Sequence, residues 1–160
     1  MISKNNKVRV MAKVDNFEEL DVWKLARALT GKVYRLSSQG AFAVDYGFRN
    51  QICRAAVSIV SNIAEGFERR SRGQFLQFLD IANGSAGEVR AQLYIALDLG
   101  YITQAQFQDA LQDVIAVGKM LTSLYQYLKS NSSTTQPPNH LTTQPPNHPT
   151  TNGRFYRRED

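Results

Sequence analysis

Five polar residues at helical spacing carry most of the chemistry this chain offers. Gln51, Arg54, Ser58, Asn62 and Glu65 fall within roughly 80° of one another at 100° per residue. Around them Ile52, Ala55, Ala56, Ile59, Val60, Ile63 and Phe67 fill an apolar arc, which Cys53, Val57 and Ala64 extend. A cation, a carboxylate, a hydroxyl and two amides on one stripe make either a ligand-recognition site or a polar network that sets helix register. Ser85 and Glu88 belong to the same problem. Glu88 shares its helix face with Ile81, Ile95 and Leu99, with Gln92 beside them. A carboxylate among apolar residues is costly unless paired. That surface therefore contacts another subunit or receives a partner such as Arg54. Gly84 and Gly87 lie inside the same helical pattern, where glycine costs about 1 kcal/mol relative to alanine. Close packing by another helix is the simplest reason for them.

Catalysis finds little support. Inward Glu-x-x-His motifs hold metals in ferritin-like bundles, but the only histidines, His140 and His148, lie in the C-terminal tail. Glu65 and Glu88 thus lack imidazole partners, and an Arg–His ribonuclease pair is excluded on the same ground. Cys53 and Ser58 have no histidine base within the domain, and no glycine-rich phosphate loop is present. Neither a cofactor nor a metal is expected, since His140 and His148 on an unstructured tail make a weak site. An enzyme would need a ligand pocket around Glu65 and Glu88. Arg69, Arg70 and Arg72 form the densest basic cluster of the folded region. They suit phosphate contacts. They also suit a solvated turn, because Glu65–Arg69 and Glu68–Arg72 have i, i+4 spacing if the helix continues.

Four helical segments must position these groups. The first runs from about Phe17 to Leu36, with Asp15 or Asn16 as candidate N-cap, and buries Val22, Leu25, Ala26, Leu29, Val33 and Leu36. A loop from Ser37 to Gly47 follows. The second helix begins near Phe48 and ends at Gly66 or a turn later. It is apolar over more than half its circumference, so more than one neighbour must cover it. The third starts at Ser71, where Ser71-Arg-Gly-Gln74 matches a capping box, and ends at Gly100. The fourth starts at Thr103, with Gln106 in the equivalent place, and buries Phe107, Leu111, Val114, Ile115, Leu121, Leu124 and Leu128. Short connections between long amphipathic helices favour antiparallel neighbours. The expected fold is all-α, an antiparallel up-down four-helix bundle.

The net charge of +5 resides in the ends of the chain. Residues 1–14 carry four basic groups and no acid, and 131–160 carry three basic and two acidic groups. Residues 15–130, the bundle, hold 12 of each sign, so nucleic-acid contact must come from local patches or from the tails. Residues 1–14 read as a basic extension. Met1 and Met11 are both candidate starts, and intact mass decides between them. Within 131–160, Thr134-Thr-Gln-Pro-Pro-Asn-His140 recurs as Thr142-Thr-Gln-Pro-Pro-Asn-His148. Proline-rich and nearly free of apolar side chains, that tail is expected to be disordered. The lone Cys53 suits a reducing cytoplasm, and no apolar run is long enough for a membrane span.

Several elements together resemble a known family. Tyr46-Gly-Phe, Gln51-Ile-Cys-Arg-Ala-Ala, Ser58-Ile-Val-Ser-Asn-Ile-Ala-Glu-Gly66 and Ala82-Asn-Gly-Ser-Ala-Gly-Glu88 are similar to the bacterial four-helix-bundle proteins encoded in 23S rRNA intervening sequences. Leu20-Asp-Val-Trp23 and Leu99-Gly-Tyr-Ile102 fit the same family, over about residues 17 to 128. Cys53 stands where the family usually has arginine, and Val60 where it often has proline. The resemblance implies a homopentamer, related in fold to accessory proteins of diversity-generating retroelements, which bind nucleic acid and a reverse transcriptase. The function expected is a non-enzymatic, oligomeric, cytoplasmic bundle that binds RNA or DNA through arginine–phosphate contacts at Arg69, Arg70 and Arg72. The alternative is a protein-interaction scaffold, or an accessory protein for a nucleic-acid enzyme such as a reverse transcriptase. Gln51, Arg54, Ser58, Asn62, Glu65, Ser85 and Glu88 would then form the structural polar network or subunit interface.

Overall fold

The computed structural model describes residues 14–131. The basic extension up to Lys13, Met1 and Met11, and the repeat tail with His140 and His148 lie outside the described residues. Among those described, all regular structure is helical. A 3-10 turn (Phe17–Glu19) leads into α1 (Asp21–Leu36), and α2 (Gly40–Val44) is a single short helix. Then come α3 (Tyr46–Glu68), α4 (Arg72–Asp98) and α5 (Gln104–Ser130). The four long helices α1, α3, α4 and α5 are those expected from the periodicity.

Each helix is bounded by local chemistry. Asn16 precedes the 3-10 turn without a side-chain cap, its amide donating instead to the Glu19 carboxylate at 3.2 Å, and α1 starts later than its sequence pattern suggests, with Asp21 in its first turn. The Asp45 carboxylate accepts from the Phe48 N–H at 3.1 Å and caps α3. At Thr103 both halves of the capping box form, at 3.2 and 2.8 Å. Ser71 has the same spacing to Gln74 but makes no side-chain cap bond. Gly100 at φ 68° closes α4: the Tyr101 and Gly100 N–H groups return to the carbonyls of Ala96 and Leu97 at 2.8 and 2.9 Å.

The stretch from Ser37 to Gly47, expected as a loop, contains α2. Its reason is Phe42, almost wholly buried and stacked on Phe48 and Tyr101 at 5.4 and 5.1 Å. Tyr101 in turn donates to Asp45 at 3.0 Å. That bond ties the start of α3 to the α4–α5 turn.

Helix α3 packs against both α1 and α4, and α5 against both α4 and α1, so the long helices close into a ring. Two neighbours do cover α3, as its wide apolar arc demands. Helices α1 and α3 run antiparallel: Thr30 donates to the Ala56 carbonyl at 3.0 Å, and Ser37 lies 3.3 Å from the Cys53 sulfur. The core joins Ala26, Leu29 and Val33 to Ile52, Ile59, Ile63, Leu79, Leu93, Val117 and Leu121. Lys32 crosses from α1 to α5, bonding Asp109 and Asp113 at 2.6 and 2.5 Å. The two carboxylates are i, i+4 on α5 and so share one face.

Candidate functional site

The polar stripe of α3 divides between two roles. Ser58 and Ser85 share a hydrogen bond of 2.8 Å between α3 and α4. Asn62 donates to the Ser58 carbonyl at 2.7 Å and to its hydroxyl at 3.0 Å, and Ser85 is anchored to the Ile81 carbonyl at 3.1 Å. These three of the seven residues expected to form a polar network or interface are thus hydrogen-bonded to one another across α3 and α4. Gln51, Arg54 and Glu88 do not join them. With Ala55, Ser58 and Gln92 they line an open cleft of about 520 Å³ between α3 and α4. Arg54 and Glu88 are both exposed and no ion pair joins them, so the partner expected for Glu88 is not supplied by Arg54. The Gln92 Oε1 is buried there without a hydrogen-bond partner among the described residues, a deficit of about 1–3 kcal/mol. Glu65 lies away from the cleft and binds Arg69.

Alongside the cleft, α4 presents Ile81, Ile95 and Leu99, each about half exposed. Gly84 and Gly87 face open space, with nothing within 4 Å of a Cβ added at either. No helix of this chain packs closely on them. The close approach is at Gly66, where an added Cβ would lie 2.6 Å from the Phe78 Cβ.

The arginine turn is also resolved. Helix α3 ends at Glu68, and Arg70 adopts φ 54°, a left-handed conformation that costs a non-glycine residue about 1–2 kcal/mol. The helix therefore does not continue to Arg72, and the Glu68–Arg72 pair does not form. Arg69 is engaged twice, by Glu65 and by the Phe78 ring, 5.6 Å from its guanidinium. Arg70 and Arg72 are exposed with no carboxylate partner among the described residues. Half of the neutralisation that the spacing allows is realised.

A long antiparallel bundle, a Ser58–Asn62–Ser85 bridge and a glycine seated against Phe78 now account for the main sequence elements. Residues 18–123 match the 23S rRNA-intervening sequence protein family. The chain belongs to that family. It is also similar to the crystal structure of a protein of unknown function from the S23 ribosomal protein family of Bacteroides thetaiotaomicron VPI-5482, at 25% identity and a TM-score of 0.61. That match covers 66% of this chain and 98% of the other. No curated protein matches the chain.

In this member of the 23S rRNA-intervening sequence protein family, four residues of the element Asn62-Ile-Ala-Glu-Gly66 each serve a separate task. Asn62 supports Ser58, Ile63 enters the core, Glu65 holds Arg69, and Gly66 admits Phe78. Cys53 is buried against Ser37, and α3 runs unbroken through Val60. One basic feature was missed from sequence. Lys24, Arg27 and Arg35, with Ala28 and Gly31, line a groove of about 390 Å³ on the outer face of α1. The helical spacing of these residues was a usable signal, hidden by the neutral charge of the whole domain.

Proposed function

We propose that this protein is a non-enzymatic, oligomeric bundle that binds RNA or DNA in the cytoplasm through arginine–phosphate contacts. The observation that carries this reading is the α3–α4 turn, where Arg70 and Arg72 project without carboxylate partners. Phosphate contacts of this kind give affinity and orientation but little sequence discrimination. Repetition of the turn around a closed ring, a pentamer by family resemblance, would combine weak contacts into strong binding. The α3–α4 cleft and the exposed Ile81, Ile95 and Leu99 support assembly through that face, since a second subunit can supply Arg54, Glu88 and Gln92 with polar partners and cover the apolar side chains.

Salt titration of RNA and DNA binding tests the first part. The expected result is a steep slope that Arg70→Ala with Arg72→Ala reduces. No binding at low salt refutes it. A second reading, a scaffold or accessory protein for a nucleic-acid enzyme such as a reverse transcriptase, draws on the same exposed apolar face. Partner capture that survives nuclease treatment and is lost on Ile95→Glu favours it.

A further inference from the structure

We propose that the outer face of α1 is a second binding site for the phosphodiester backbone of a nucleic acid, gripped by Lys24, Arg27 and Arg35. This site rests on the nucleic-acid reading above and extends it to a surface that reading does not use. The charge balance of the bundle conceals it. Helix α1 holds four basic residues and one acid, whereas α3 and α5 are balanced and α4 carries a net negative charge. One of the four, Lys32, is consumed by Asp109 and Asp113. The other three face outward.

Their placement is regular. Lys24, Arg27 and Arg35 fall, with Ala28 and Gly31, within about 100° of arc directly opposite the buried stripe Val22, Ala26, Leu29 and Val33. From Lys24 to Arg35 the helix rises about 16 Å, enough to reach several phosphates of one strand. The small residues at the centre of this arc make the groove: long cations stand around a floor of Ala28 and Gly31, where a strand can approach the helix closely. Arg27 lies over the Trp23 ring, 5.7 Å from its centroid, which positions its guanidinium at the rim. The Arg35 Nη1 lies 3.3 Å from where a Gly31 Cβ would stand, so any larger residue at 31 displaces it. Among the described residues neither arginine has a carboxylate partner, and Lys24 has only the exposed Asp21 at 3.5 Å. Guanidinium groups left free of acids around a narrow floor are suited to phosphate oxygens, which accept their forked donors.

Fluorescence anisotropy of the full chain with labelled single-stranded RNA and DNA, titrated with salt, tests the site. Arg27→Ala with Arg35→Ala should lower the slope of log K against log salt by about 1.4, two contacts at 0.7 each, while thermal stability is unchanged. Gly31→Leu, which fills the groove at constant charge, should weaken binding several-fold. Loss with RNA alone, or with both probes, identifies which backbone the groove takes and supports the site either way. An unchanged slope in the double variant overturns it. If Arg70→Ala with Arg72→Ala reduces the slope and the α1 variant does not, the α1 site falls and the broader function stands. If wild type binds neither probe at low salt, both fall. Binding to phosphatidylserine vesicles that RNA does not compete assigns the groove to a membrane surface and overturns the proposal.

Discussion

Gly66→Ala should destabilise the bundle even though it replaces a glycine inside a helix. Gly66 lies two residues before the end of α3 and is buried. A Cβ added there would sit 2.6 Å from the Phe78 Cβ and 2.9 Å from the Phe75 Cδ2. Carbon atoms rest at about 3.5–4.0 Å, so α3 and α4 must separate locally by about 1 Å. The nearer atom is a Cβ, so no rotamer change removes it and backbone must move. Overpacking of this sort costs about 1–3 kcal/mol, and the rigidity of the site places it in the upper half of that range. Against this stands a gain of about 1 kcal/mol in helix propensity. The net loss is about 1–2 kcal/mol, a fall in Tm of roughly 3–12 °C for a domain of this size. Thermal melting by circular dichroism measures it, with Gly73→Ala as control, because nothing lies within 4 Å of a Cβ at 73. Adding Phe78→Ala should rescue little, since alanine keeps the offending Cβ. A Gly66→Ala protein that melts at or above the wild-type temperature refutes the close approach.

Alkaline pH should weaken the fold from two places. Burial pulls the Lys32 ammonium down, but hydrogen bonds to Asp109 and Asp113 and their charges outweigh it and leave its pKa above 10.5. The Tyr101 phenol is held above 10.0 by its bond to Asp45, with burial and the Asp45 charge adding. Both groups hold their protons more tightly when folded, so their stabilisation is complete below the unfolded pKa and is lost as pH rises through the folded value. Denaturant midpoints should fall above about pH 10, less so in Asp113→Asn and in Tyr101→Phe; a flat profile in wild type contradicts the assignment. Ser58→Ala and Ser85→Ala should each cost about 1 kcal/mol, with the double variant costing clearly less than their sum; strict additivity in a double-mutant cycle means the hydroxyls do not interact. Ile81→Glu with Ile95→Glu should leave each chain helical by circular dichroism while breaking the proposed assembly in light scattering and lowering Tm by the lost subunit contacts, whereas a wild-type monomer near 18.0 kDa removes the assembly itself.

Helix type and packing were legible because they rest on repetition. Many apolar residues at period 3.6 outvote any single misplaced one, and α3 could be assigned two neighbours from the width of its apolar arc alone. Features that rest on one torsion or one contact were not legible. Nothing in Glu68-Arg-Arg-Ser71 announces that Arg70 is left-handed, yet that torsion alone abolishes the Glu68–Arg72 pair. Ser71 and Thr103 each have glutamine three residues on, and only Thr103 closes the box. Charge counting failed for a different reason: summing over the domain cancelled the surplus of α1 against acids elsewhere, chiefly Asp15, Glu18 and Glu19 just ahead of it, and binding responds to the local field.

The glycines show where a single chain ceases to explain its own sequence. Close packing was expected at Gly84 and Gly87, and within the chain it occurs at Gly66 instead. Gly84 and Gly87 are exposed on the middle of α4, each at a cost of about 1 kcal/mol relative to alanine. Gly84 shares its face with Glu88, the unpartnered Gln92 oxygen, and the exposed Ile81 and Ile95, whereas Gly87 lies about 100° round the helix from Glu88. An isolated bundle gains nothing from any of these. The proposed second subunit on this face accounts for the features that share it, since backbone-close packing needs Gly84, burial needs the isoleucines, and the amide and carboxylate need donors. On that basis Gly84→Leu separates the alternatives more sharply than any charge change: it should stabilise an isolated chain and disrupt an assembled one.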